Sequence, residues 1–139
     1  MYQLVYVSTA TEPFSSEELT RLLETSRKNN TADGVTGMLL YHDGNFFQVL
    51  EGDRDAVIGV FRRVERDPRH QAVMTIHEDE VEERAFGDWS MAWCEVNEST
   101  LEQVPGFSDL MLRRDQSQPF GTDPQMVHDM ILTFRDNAR

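Results

Sequence analysis

Residues 35–51 read VTGMLLYHDGNFFQVLE, two strand-like runs on either side of Asp43-Gly44. Asp-Gly between runs rich in β-branched and aromatic residues is a strong hairpin signal, because a tight turn there needs positive φ. Working outward, residues 2–8 (YQLVYVS) read as a strand. In the Ser15-Ser16-Glu17-Glu18 stretch, Ser15 stands three residues ahead of Glu18, as in a capping box. Leu19, Leu22, Leu23 and Ser26 then mark one face of a helix, and Gly34 and Gly37 punctuate its exit. Downstream, Val57, Val60, Phe61 and Val64 recur at helical spacing until Pro68 stops them. Residues 72–78 and 89–94 are two further strand-like runs.

The order is β-α-β-β-α-β with an extra strand. That is an α+β, ferredoxin-like arrangement with two helices on one sheet face. The remainder differs in character. Residues 99–112 are a weak helical segment and residues 115–121 a polar connector. Thr122-Asp123-Pro124 then opens a helix with a cap residue and a proline at its first position. Met126, Val127, Met130, Ile131 and Phe134 form an apolar stripe along it. The expected division is a domain at residues 1–98 and a C-terminal helical extension at 99–139, acting as cap, output element or oligomerisation surface.

Composition narrows the possible functions. At 139 residues and 39% hydrophobic content the chain fits one packed domain. A net charge of −12 argues against nucleic acid and anionic membranes as partners, since both are bound by clustered positive charge. No apolar run approaches the ~20 residues of a membrane span, and no secretory signal opens the sequence, so a cytoplasmic protein is expected. Cys94 is the only cysteine, which excludes internal disulfides and cysteine-cluster metal sites; no metal is expected. Lys28 is the only lysine, and it sits in a polar run unsuited to Schiff-base chemistry.

The informative positions are polar residues where the pattern calls for apolar ones. Strand alternation puts Gln48 on one face with Phe46 and Leu50. A buried amide without partners costs about 1–3 kcal/mol, so Gln48 must be hydrogen-bonded, to backbone or to something else. Asn30 falls within about 20° of Leu19 and Leu23 on the first helix, at the end of its apolar stripe. The plain alternative there is a helix C-cap, a role asparagine often takes. Tyr6 shares a strand face with Leu4 and Ser8, and a buried tyrosine hydroxyl wants a partner. Trp89, Met91 and Trp93 alternate onto one face of the last strand, a pattern more common in cores than in cofactor walls. Arg62-Arg63 and the Asp67-Pro68-Arg69-His70 run would ordinarily be solvated surface pairs.

In combination these residues resemble the BLUF family of flavin-binding blue-light sensors. The matching strings are LVYVSTA (4–10), SRKNNTADGVTGMLLY (26–41), FFQVLEG (46–52), RDPRH (66–70) and FGDWSMAW (86–93). They cover residues 1 to about 95 in the family's order. The resemblance implies FAD as ligand, with FMN or riboflavin as other forms the pocket could take. Tyr6 matches the tyrosine that gives an electron and a proton toward the excited flavin, and Gln48 the glutamine between it and the ring's N5/C4=O edge. Asn30 matches the amide on the pyrimidine edge, with Asn29 a second amide neighbour. Trp89 and Met91 match the pair that exchanges proximity to the glutamine. Arg63, Asp67, Arg69 and His70 match a rim around the ribityl and phosphate groups, where arginine suits phosphate. Leu22, Leu23 and Phe46 complete the implied flavin-binding set.

Such a domain is a photoreceptor and not an enzyme. Its implied partner is a downstream protein effector, reached through the last strand and the C-terminal helices. A homo-oligomer, dimer or higher, is also expected. Within 139 residues there is no room for an attached catalytic output domain, so output is expected through contacts. Two alternatives come from other classes. An acylphosphatase-like enzyme on the same fold needs a glycine-rich, arginine-bearing loop after the first strand, where this chain has Thr9-Ala10-Thr11-Glu12-Pro13. A non-photochemical ligand-binding regulatory domain would tolerate leucine at Gln48 and phenylalanine at Tyr6.

Overall fold

Seven elements appear in the computed structural model, which describes residues 1–42, 44–87, 91–94, 129, 131 and 132. They are β1 (Tyr2–Ala10), α1 (Ser16–Asp33), β2 (Thr36–His42), β3 (Asn45–Gly52), α2 (Arg54–Arg66), β4 (His70–Glu80) and β5 (Ala92–Cys94). The sheet order is β4-β1-β3-β2-β5. Its first four strands are antiparallel neighbours, and β5 adds to β2 in parallel as the extra strand. This is the ferredoxin-like arrangement that the sequence implies.

Local chemistry explains the boundaries. Gly44 takes φ 81° in the β2–β3 turn, a conformation that only a residue without Cβ enters freely; its neighbour Asp43 lies outside the described residues. The α1 capping box is complete: Ser15 Oγ accepts from the Glu18 amide, and Glu18 Oε1 accepts from the Ser15 amide, both at 3.2 Å. The far end of α1 corrects the asparagine-cap expectation. The helix runs on through Asp33, and Gly34, at φ 70°, is the cap, its N–H reaching the carbonyls of Asn30 and Thr31. A left-handed cap suits glycine better than asparagine, so Asn30 stays within the helix.

The run at 89–94 also differs from expectation. Among its described residues Ala92–Cys94 is strand and Met91 sits in a bend before it, so strand alternation does not carry through Met91. Trp89 lies outside the described residues. Of the expected 126–134 helix, Asp129, Ile131 and Leu132 are helical and Ile131 is buried; the rest, with residues 99–112 and the 115–121 connector, lies outside them. Among the described residues no helix is long and apolar enough to cross a membrane.

The core lies between the sheet and both helices. Leu4, Tyr6, Leu39, Phe46 and Leu50 from the strands meet Val57 and Val60 of α2, with half-buried Leu19, Leu22 and Leu23 of α1 against them. Each large side chain buried there contributes about 1.5–3 kcal/mol. The opposite sheet face is equally dry: Val5, Val7, Met38, Leu40, Phe47 and Val49 show no exposure. Both faces of the central strands β1, β2 and β3 are therefore largely closed to water.

One charged group is buried with them. Glu51 is fully buried on β3, and its carboxylate accepts from the amides of Ala85 at 2.7 Å and Phe86 at 3.0 Å, and from Gln3 Nε2 at 3.1 Å. Arg84 beside it donates to Thr36 Oγ1 and to the carbonyls of Glu51 and Gly34. Together they fasten the chain after β4 onto β2 and β3. Glu51→Ala strands three donors, each costing about 1–3 kcal/mol if left unpaired. Urea unfolding should show a loss of at least about 2 kcal/mol. A loss within measurement error would show that water replaces the carboxylate freely.

Candidate functional site

The β1–β3 register decides the site. Tyr6 lies directly opposite Gln48, which in turn faces Leu39 on β2. All three point toward the helices and form the floor of a cavity between α1 and α2. Tyr6 Oη donates a hydrogen bond to Gln48 Oε1. Gln48 Nε2 donates to Met91 Sδ at 3.5 Å, so β1, β3 and the segment before β5 meet at one amide. Tyr6, Gln48 and Met91 are all buried, at 1%, 5% and 1% exposure.

Burial gives the Tyr6 hydroxyl its character. Desolvation first, and the nearby Asp67 carboxylate second, push its pKa far above the ordinary phenol range. The group remains a protonated donor throughout the physiological pH range.

The walls come from the two helices. From α1, Leu22, Thr25, Ser26, Asn29 and Asn30 line the cavity, with Asn30 buried and Asn29 exposed. Val60, Arg63 and Val64 of α2 line the opposite side, and Asp67, Arg69 and His70 the end beyond α2. At that end Asp67 and Arg69 pair at 2.6 Å. Arg69's hydrogen bonds hold the Asp67 carboxyl below its usual range, and Asp67 raises Arg69 in turn. Arg63 pairs with Asp33 at 2.6 Å. These are the surface pairs the sequence allows, and they also rim the cavity; being exposed, they add little stability.

His70 owes its place to a distorted β4. The β1–β4 register shifts between Val5 and Tyr6 and again between Val7 and Thr9, and Ala72 takes φ 51°. Such bulges re-aim side chains beside functional sites. Here His70 Nδ1 shares a 2.9 Å hydrogen bond with Ser8 Oγ, and its ring lies 4.8 Å from that of Phe46. Burial pushes the His70 pKa down, so the imidazole is held neutral.

Of the residues expected at a flavin site, Tyr6, Leu22, Asn29, Asn30, Gln48, Arg63, Asp67, Arg69 and His70 line the cavity. Phe46 and Leu23 do not: Phe46 is fully buried beneath it, and Leu23 packs on the core. Sequence patterning missed Thr25, Leu39, Val60 and Val64 as lining residues and gave Ser26 no cavity role. Their signals were present. Ser26 lies one turn from Leu22 and Asn30, Val60 and Val64 flank Arg63 on α2, and Leu39 faces Gln48 across the hairpin.

These residues fit a flavin. Leu22, Leu39, Val60 and Val64 offer apolar contact to a flat ring, the asparagines offer donors and acceptors to a ring edge, and the arginines suit a polar chain. The most telling group is the Gln48 amide. Among the described residues its NH₂ meets only the Met91 sulfur, a weak acceptor, although it is buried beside the cavity. A ligand acceptor placed there completes it. Among the described residues no group of His, Cys, Asp or Glu is placed to hold a metal ion.

Comparison with known proteins agrees with this geometry. The family described as "BLUF: Sensors of blue-light using FAD" matches residues 1–92. The photoactivated adenylate cyclase subunit beta of Euglena longa is 35% identical over 109 residues, which is 78% of this chain and 12% of that protein. The chain thus spans about an eighth of the length of that relative. Among solved structures, BlrB, a BLUF protein in its dark state, matches with TM-score 0.79 at 27% identity, covering 97% of this chain and 95% of that one. A bacterial light-regulated adenylyl cyclase matches with TM-score 0.68 at 33% identity, covering 84% and 34%. The chain belongs to the BLUF family and contains a flavin-binding blue-light sensor domain.

Proposed function

We propose that Tyr6, Gln48 and Met91 are the light-operated switch of this domain, and that the flavin is FAD held mainly by its ring and ribityl part. The observation that carries this is the buried chain from Tyr6 through Gln48 to Met91, whose middle member is both donor and acceptor. A bound flavin supplies blue-light absorption and, when excited, an oxidant. Tyr6 would be the residue to supply the electron that such an oxidant takes, and its proton would move along its hydrogen bond to Gln48 Oε1; both would return, so nothing would be consumed. Gln48 meanwhile rotates or tautomerises, exchanging donor and acceptor with no backbone movement. In a low-dielectric pocket that exchange is strongly felt by an adjacent carbonyl, which shifts the absorption to the red.

The other residues hold the ligand. Asn29 and Asn30 take the polar ring edge, Leu22 contacts its face, and Arg63, Asp67, Arg69 and His70 take the ribityl and phosphate end, with arginine the phosphate partner. Residues 1–98 form the sensor and 99–139 the output extension, with Trp89 acting alongside Met91. A protein effector receives the signal, in a cytoplasmic homo-oligomer. The relatives named as photoactivated cyclases support a protein output of this kind.

Three outcomes are expected. Tyr6→Phe keeps the shape and binds flavin, but blue light produces no red shift; a normal shift in absorbance would remove Tyr6 as donor. Gln48→Leu fits between Phe46 and Leu50, stays yellow and likewise gives no shift, and a red-shifted state in that variant would end the glutamine account. The third concerns pH. His70 has a folded pKa below its ordinary 6.5, so the unfolded chain binds the proton more readily. Stability is then complete above about pH 6.5 and declines as pH falls toward the folded pKa. His70→Asn keeps a partner for Ser8 but does not titrate. Urea titrations at pH 7 and pH 5 should show a smaller acid loss in the variant; equal losses would mean that His70 carries no linkage.

A further inference from the structure

We propose that Arg27 holds Met91 beside Gln48, as a positioning residue for the switch that lies outside the flavin cavity. The proposal rests on the Tyr6–Gln48–Met91 reading and extends it to a residue on the outer part of α1. Arg27 Nε donates to the Met91 carbonyl at 2.9 Å, across 64 residues of sequence. It does not line the cavity, whose α1 wall is built from Leu22, Thr25, Ser26, Asn29 and Asn30.

Met91 needs such a holder. It lies in the bend before β5, and the β2–β5 register begins only at Met38 opposite Ala92, so the sheet ladder does not include it. Its side-chain contact with Gln48 runs to a thioether, too weak an acceptor to fix a backbone. Upstream, the chain is pinned at Ala85 and Phe86 by the Glu51 carboxylate, and Gly87 follows at φ 50°. The chain is therefore tethered at Phe86 and at Met91. Its upstream tether is a buried carboxylate on β3. Its downstream tether is the Arg27 guanidinium, a permanently charged donor whose hydrogen bonds are stronger than neutral ones.

The two tethers respond differently to the switch. Glu51 is remote from the Tyr6–Gln48 pair, on the opposite sheet face. Arg27 bonds the same residue that Gln48 touches. When Gln48 turns its NH₂ away from the sulfur, the Arg27 bond is what still resists departure of Met91. Arg27 also joins Met91 to the helix that carries Asn29 and Asn30, so cavity wall and exit segment move as one while the bond lasts. Coupling of this kind requires a difference in free energy between two arrangements, here with the Arg27–Met91 bond made and with it broken.

The test uses the flavin-loaded full chain with methyl-labelled methionine, carrying Arg27→Ala or Arg27→Lys. Alanine favours the helix, so α1 should persist. Flavin occupancy should match wild type. In darkness, amide exchange at residues 91–94 should quicken about tenfold in Arg27→Ala, as for loss of a charge-assisted hydrogen bond. The Met91 methyl resonance should move, and Arg27→Lys should restore part of both effects. Wild-type exchange and an unmoved methyl resonance in Arg27→Ala would overturn the proposal, as would loss of flavin, which would place Arg27 in the cavity wall. These outcomes are separate from those of the switch itself: a Gln48→Leu variant that still shifts red removes the switch and leaves Met91's anchoring untouched.

Discussion

Everything at this site depends on the hydrogen bond between Tyr6 and Gln48, and that bond depends on register. The two residues are opposite one another on β1 and β3, both facing the helices. Side chains alternate along a strand, so a slip of one residue would send Gln48 to the far face and bring Phe47 or Val49 to the cavity. Large hydrophobes on both faces of the sheet fix the register. The apolar core thus does two things at once: it closes the sheet to water and it aligns one phenol with one amide.

Dryness makes that pair useful. Burial keeps the Tyr6 proton on its oxygen, and it leaves the Gln48 NH₂ facing a sulfur where water would otherwise bond. An amide carries a donor and an acceptor on one side chain, so turning it over exchanges the two. The polar groups at the cavity ends have the contrary character. They are charged, partly exposed and paired with one another, suited to hold a ligand and unsuited to switch.

Much of this was legible in the sequence, for a physical reason in each case. Period-two alternation fixed Tyr6 and Gln48 on core-facing positions, the Ser15–Glu18 box marked the start of α1, and a hairpin with Gly44 joined β2 to β3. Features that arise from tertiary contact were not legible. The α1 terminus passed beyond Asn30 because Gly34 could take the left-handed cap, and both residues looked like caps in sequence. Met91 looked like a strand residue, yet it lies in a bend, positioned by Arg27 and Gln48 across 64 and 43 residues of sequence. The β4 bulges that bring His70 to Ser8 carry no local signal, since Ala72 takes its positive φ where no glycine advertises it. Glu51 alternates onto the face of Phe47 and Val49, and its partners at Ala85 and Phe86 lie too far along the chain for patterning to connect.

The central claim is that light changes the bonding of one side chain, Gln48, and that the colour change follows from it. Side-chain amide NMR of the flavin-loaded chain tests this directly, with the Gln48 Nε2 resonance followed in darkness, under blue light and during recovery. The account predicts that this resonance moves under light and returns at the same rate as the absorption. A full red shift and recovery with the Gln48 amide resonance unchanged would contradict it.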